Sequence, residues 1–252
     1  MIRLFQKIIL ILIVNFATLL PQSFGFGCFG FVGGYAGYGY QKYQPGSFDE
    51  SIQAFNNSVS SGTVKIIPDF GNAYGYRLGI NFFRAKFSKV FFSLKGYYEL
   101  LSENHTYSYI KDGSNINSEL DFSIKSWNVG FDFGIPITNL ISWKIIDGTV
   151  HFNSAKLSHK PNLQDNTLDI KFNNDSPELG YSIGTGFVFM IIENFASIEG
   201  TGGYSFFKIN KMTNDDGSEF ILISDNTKAT NNDFIKAGGF YAVVQLNIGF
   251  PL

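Results

Sequence analysis

The sequence predicts an all-β chain: an antiparallel, up-and-down transmembrane β-barrel of eight strands that follows a cleaved export signal. Three observations carry this expectation. Apolar residues fall on alternate positions, most clearly in the last segment. There Phe240, Ala242, Val244, Leu246, Ile248 and Phe250 alternate with Gly239, Tyr241, Gln245, Asn247 and Gly249. A strand sends successive side chains to opposite faces, so one face is apolar and the other small or polar. The chain opens with an export pattern. Its 252 residues are 44% hydrophobic and 17% aromatic, with a mean hydropathy of +0.04. A helical membrane protein is more apolar than that, whereas a barrel exposes only alternate residues to lipid.

The elements follow in order. Met1, Arg3 and Lys7 give a basic start, Ile8 to Leu20 an apolar run broken by Asn15 and Thr18, and Pro21 a stop. Ser23-Phe24-Gly25 is a small-x-small cleavage pattern. The apolar run is shorter than the ~20 residues of a spanning helix. Residues 1–25 are therefore expected to be a signal peptide, cleaved near 25–27, and residues 26–252 the barrel domain. Cys28 is the single cysteine, so no intrachain disulfide forms. Gly25-Phe26-Gly27 before it lack the usual lipoprotein pattern, which leaves lipidation of Cys28 a minor alternative.

Phe29 to Tyr43 is a Gly- and Tyr-rich first strand, and 44–72 reads as a long polar loop. Tyr74 to Phe82 alternates, a tight connection covers 85–89, and Phe92 to Leu100 alternates again. Residues 102–119, with Asp112-Gly113, read as a second loop. From Leu120 to Ile135 the apolar parity changes. Leu120, Phe122 and Ile124 share one face, while Trp127, Val129, Phe131 and Phe133 share the other, which predicts a β-bulge near Ser126.

Residues 140–157 fit either one kinked strand or two short ones, because Asp147-Gly148 looks like a hairpin turn. Residues 158–178 form a third loop, with Leu168 to Phe172 a candidate hairpin extension. Leu179 to Ile191 and Ala196 to Phe206 are strands around a turn at Glu193-Asn194. A fourth loop covers 211–233. The count is eight strands, or ten if 140–172 supplies extra spans. Three short turns oppose four long loops.

With that pattern in place, the chain resembles the small bacterial outer-membrane β-barrels of the OmpA, OmpX and OmpW type. The resemblance covers essentially the whole mature chain and rests on pattern, not on a motif. It implies residence in the bacterial outer membrane, contact with outer-membrane lipid and lipopolysaccharide, and insertion by the barrel-assembly machinery. Such proteins often end on an aromatic residue. Here Phe250 has the right parity, but Pro251 and Leu252 follow it.

The expected interior holds Arg77, Lys95, Glu99, Lys125, Asp132 and Glu199 as a paired polar network, because an isolated buried charge costs several kcal/mol. Tyr35, Tyr38, Tyr40, Tyr74, Tyr76, Tyr98, Tyr181 and Tyr204 are expected as interface anchors. No cofactor or metal is expected. His105, His151 and His159 have no metal-ligand spacing, and Asp215 to Glu219 lacks the ligand alternation of a calcium loop. His105 with Ser108, and His151 with Ser154, sit three apart, on opposite faces of a strand. With 19 basic and 21 acidic residues and no basic run, nucleic acid is excluded as a partner. A closed, non-catalytic envelope barrel is expected, with any surface ligand meeting loops 44–72, 102–119, 158–178 and 211–233. A narrow solute channel is the alternative, and a lipid-modifying enzyme a distant third.

Overall fold

The computed structural model describes residues 33–59, 65–87, 89–111, 114–163, 166–167, 169–192, 195–220 and 233–249. The expected signal, Cys28, the Glu193-Asn194 turn and the terminal Phe250-Pro251-Leu252 lie outside them.

Eight strands build the barrel: β1 (Gly33–Lys42), β2 (Asn72–Phe87), β3 (Val90–Lys111), β4 (Ser114–Pro136), β5 (Ile141–Leu163), β6 (Glu178–Ile192), β7 (Ala196–Phe206) and β8 (Phe240–Gly249). Each pairs antiparallel with its chain neighbour, and β1 pairs with β8, so the sheet closes and no barrel edge is left open. Three connections are short: two residues separate β2 from β3, four separate β4 from β5 and three separate β6 from β7. The count of eight stands. Among the described residues the extra spans at 140–172 do not form, because Ile170–Asn173 and Asn166–Thr167 only pair alongside the upper part of β5.

β3, β4 and β5 run for 22, 23 and 23 residues. A tilted strand crosses a bilayer with about 9–11. They therefore continue well beyond the membrane. Residues 102–111 and 114–119, within a stretch read from sequence as a loop, belong to the upper halves of β3 and β4, paired from Ser102↔Ser123 to Lys111↔Ser114.

That extension explains the parity change at Ser126, and it corrects the expected bulge. The β4 alternation is unbroken: Ile116, Leu120, Phe122, Ile124, Ser126, Asn128 and Asp132 all point inward. What reverses is the surroundings. Below Ser126 the outward residues Trp127, Val129 and Phe131 are apolar and exposed, while Ser126, Asn128 and Asp132 fill a polar lumen. Above it the outward residues are Ser123 and Asp121, and Leu120, Phe122 and Ile124 are buried. β5 switches at the same level, from Val150 and Phe152 outside to Ala155 and Leu157 inside. The lower level has lipid outside and polar groups inside; the upper level has water outside and an apolar core inside.

The real irregularity is in β5. Its register shifts between Lys144 and Asp147 against β6, and at the facing Phe133/Gly134 step of β4. The extra residue at Ile145-Ile146 turns Lys144 and Asp147, three apart, to the same side. The Asp147-Gly148 pair thus continues one strand just past a bulge and is not a hairpin.

Residues 44–72, also read as a loop, contain a helix, α1 (Ser47–Val59), following the two-residue strand Gln44–Pro45. Phe48, Ile52 and Phe55 lie at i, i+4 and i+7 on one buried face. Asp49 and Glu50 sit in the first turn, where the helix dipole favours negative charge. The apolar face drops into the top of the barrel. Phe48 meets Phe70, Phe122, Phe220 and Phe234 at ring-centroid distances of 4.7 to 5.9 Å. Asn56 ties the helix to the returning chain, donating to the Ile67 carbonyl at 2.9 Å and accepting from its amide at 3.0 Å. The other outer-rim segment, 207–220, adds Phe207, Ile209, Met212 and Phe220 to the same core.

Candidate functional site

The lumen below the core is filled by side chains, as the bore of an eight-stranded barrel allows. Arg77 and Glu99 are cross-strand partners on β2 and β3, bonded at 2.9 Å. The guanidinium also lies 4.0 Å from the Tyr97 ring centroid. Deeper, Asp132 on β4 and Asp147 on β5 stand directly opposite one another. Two like charges in that position repel. Lys95 and Lys144 are placed to bridge them. Lys95 Nζ reaches Asp132 at 2.8 Å and Asp147 at 2.6 Å. Lys144 Nζ reaches Asp132 at 3.0 Å, Asp147 at 2.6 Å and Glu199 at 2.5 Å. Ser93, Thr149 and Asn247 bond the remaining oxygens of Asp132, Asp147 and Glu199.

Of the residues named from sequence, Arg77, Lys95, Glu99, Asp132 and Glu199 face the lumen. Lys125 does not. It is exposed on the outer wall of β4, because the bulge that was expected to turn it inward is absent. Sequence reasoning missed Lys144 and Asp147, the centre of the network, since an ordinary strand would place residues three apart on opposite faces. Tyr35 also departs from expectation. It is buried in the lumen, its ring over Gly79, where an added Cβ would fall 2.3 Å from it. Tyr38, Tyr74, Tyr76, Tyr181 and Tyr204 are exposed on the outer belt.

Between the ion network and the apolar core is a cavity of about 30 Å³, room for about one water. It brings together groups distant in sequence. Ser205 Oγ lies 3.3 Å from His151 Nε2, and Asn153 meets His151 Nδ1 at 2.9 Å. A nucleophile beside a base is the start of acyl-transfer chemistry. All three are buried, and the cavity offers no room for an acyl substrate.

Above the core boundary, Glu103 secures the chain entering β2. It accepts from Tyr43 Oη at 2.8 Å and from the amides of Gly71 at 2.9 Å and Asn72 at 2.7 Å. Burial, then the Glu103 charge, raises the Tyr43 phenol well above its ordinary range. His159, hydrogen-bonded to Tyr107 Oη at 2.7 Å, has its pKa lowered by burial. Among the described residues no group of three or more His, Cys, Asp or Glu is arranged to hold a metal ion.

No protein-family model and no curated protein matches the sequence. Among solved structures the chain is similar to Ail, the attachment invasion locus protein of Yersinia pestis, at 11% identity and a TM-score of 0.37, over 88% of this chain and 99% of that one. It is similar to Neisserial surface protein A at 11% identity and a TM-score of 0.36, over 86% and 96% of the two chains. It is similar to the outer membrane protease OmpT from Escherichia coli at 9% identity and a TM-score of 0.41, over 87% and 94%. Strand pairing and side-chain placement establish the fold independently of these distant likenesses. The chain is an eight-stranded β-barrel of the type that spans bacterial outer membranes.

Proposed function

We propose that the protein is a closed, non-catalytic barrel of the outer membrane, with a structural or surface-interaction role. The short turns then face the periplasm and the long upper level faces outward. One observation carries this: the bore is blocked twice, by the Lys95–Lys144–Asp132–Asp147–Glu199 network and by the α1 aromatic core above it. Opening a path would require breaking several buried ion pairs and lifting an apolar helix face into water, each unfavourable. Lipid and lipopolysaccharide surround the belt, and the barrel-assembly machinery inserts it. A surface ligand would meet the outer rim, where Ile66 and Ile110 are exposed.

Conductance in planar bilayers tests this. Purified wild-type protein is expected to give no stable discrete steps at moderate voltage. Reproducible steps whose size changes with Lys95→Met would replace the closed barrel with a channel.

A further inference from the structure

The misplaced Lys125 marks a surface that the lumen does not explain. Lys125 on β4, Lys156 and Lys160 on β5, and Lys171 on the adjoining Ile170–Asn173 segment all line one outward-facing groove of about 460 Å³. The register explains the cluster: Ser123 pairs with Lys156 and Ser158 with Lys171, so three neighbouring segments present lysines on one face.

Two acidic side chains, Asp121 and Asp169, share the groove. Asp169 is occupied: it accepts from Ser158 Oγ at 2.5 Å and pairs with Lys171 at 2.9 Å. Those two bonds, the hydroxyl first, lower the Asp169 pKa and keep it charged. Lys160 makes a loose contact of 3.7 Å with Glu119. Lys125 and Lys156 have no carboxylate within salt-bridge distance among the described residues. Four ammonium groups against two lining carboxylates leave an excess of positive charge.

The height of the groove identifies what it faces. Lys125 stands two residues above Trp127, which is 68% exposed and belongs to the apolar belt. Two residues of strand rise about 7 Å. The polar headgroup layer is roughly 5–8 Å thick on each side of a bilayer core. Lys156 stands four residues above Phe152, about 13 Å of strand and so at the outer side of that layer, and Leu100, at the level of Lys125, lines the groove directly. The cationic surface is thus continuous with lipid-facing apolar side chains.

We propose that this groove binds the phosphorylated headgroup of a lipid in the outward leaflet. Phosphate oxygens meet Lys125 and Lys156, sugar or glycerol hydroxyls meet Ser102 and Ser123, and acyl chains lie against Leu100 and Trp127. The assignment rests on the proposed membrane orientation but not on the lumen being closed.

The test uses the folded barrel in neutral phosphatidylcholine nanodiscs, titrated with bis-phosphorylated lipid A and with its dephosphorylated form. Bound lipid is counted by native mass spectrometry. Wild type is expected to retain the phosphorylated lipid, and Lys125→Gln/Lys156→Gln to retain it roughly 10- to 30-fold less, from two surface cations. Lys208→Gln/Lys236→Gln, on another part of the rim, is expected to match wild type. Equal retention by the Lys125/Lys156 pair, or equal retention of the dephosphorylated lipid, would overturn the site. Tight binding of inorganic pyrophosphate by the barrel in detergent would overturn the lipid assignment in favour of a soluble polyanion. Conductance of the same samples reports separately on the closed-barrel reading.

Discussion

Phe48→Ala is expected to loosen the upper core while leaving the membrane barrel folded. Phe48 is 0% exposed and sits among four other phenylalanines, one of them stacked at 4.7 Å and 19°. Truncating a buried Phe costs about 3–5 kcal/mol, from lost transfer energy and the cavity left behind. The loss falls on α1 and the 207–220 segment, which hold the core from above, and not on the strand ladder, whose hydrogen bonds lie elsewhere. Limited proteolysis should cut residues 47–70 many times faster than in wild type. The gel shift of the unheated folded barrel should persist. Loss of both together would show that the two levels fold as one unit.

Lys144→Met is expected to act on the other level. Lys144 is fully buried and touches three carboxylates, Asp132, Asp147 and Glu199. Removing it leaves Lys95 alone against all three. Breaking a buried ion pair from one side costs about 3–5 kcal/mol, because the charge left behind has no compensation. The urea midpoint of the barrel refolded in vesicles should fall accordingly. Lys144→Met/Glu199→Gln should recover a large part of the loss, since one orphaned carboxylate is then neutral. Lys125→Met is the contrast. It is exposed and outside the network, so its effect should stay within about 0.5 kcal/mol. Equal losses for Lys125 and Lys144 would contradict the placement of both.

The membrane level was legible in the sequence and the upper level was not, for one physical reason. Alternation reports the contrast between two faces of a strand, without saying which face is the interior. In β8 and β6 the apolar face meets lipid along the whole strand, so the pattern gives the right geometry. In β4 the apolar set changes sides at Ser126 because the strand leaves the membrane, and a change of surroundings looks like a slip of register. Lys125 was turned inward by that confusion. The real bulge, at Ile145-Ile146, was hidden by an Asp147-Gly148 pair that imitates a turn.

Helix α1 was obscured by the Ser- and Asn-rich composition of 44–72. Phe48, Ile52 and Phe55 at i, i+4, i+7 behind Pro45-Gly46 are the signal that would have found it. The contact of Ser205 with His151 had no such signal, because it depends on β5 and β7 flanking β6, where Gly180 leaves room for the imidazole.

The inversion at Ser126 is the centre of this account, and spin-label accessibility along β4 tests it most directly. Single cysteines are placed at each position from 120 to 131, with Cys28 replaced by Ser, in the barrel reconstituted in lipid. The even positions are predicted to be shielded from both oxygen and a water-soluble nickel chelate throughout. The odd positions are predicted to be open to the chelate at 121, 123 and 125, and to oxygen from 127 onward. Even positions at 120, 122 and 124 that are open to oxygen, with a change of parity at 126, would mean a bulged strand wholly within the membrane and would contradict the two-level barrel.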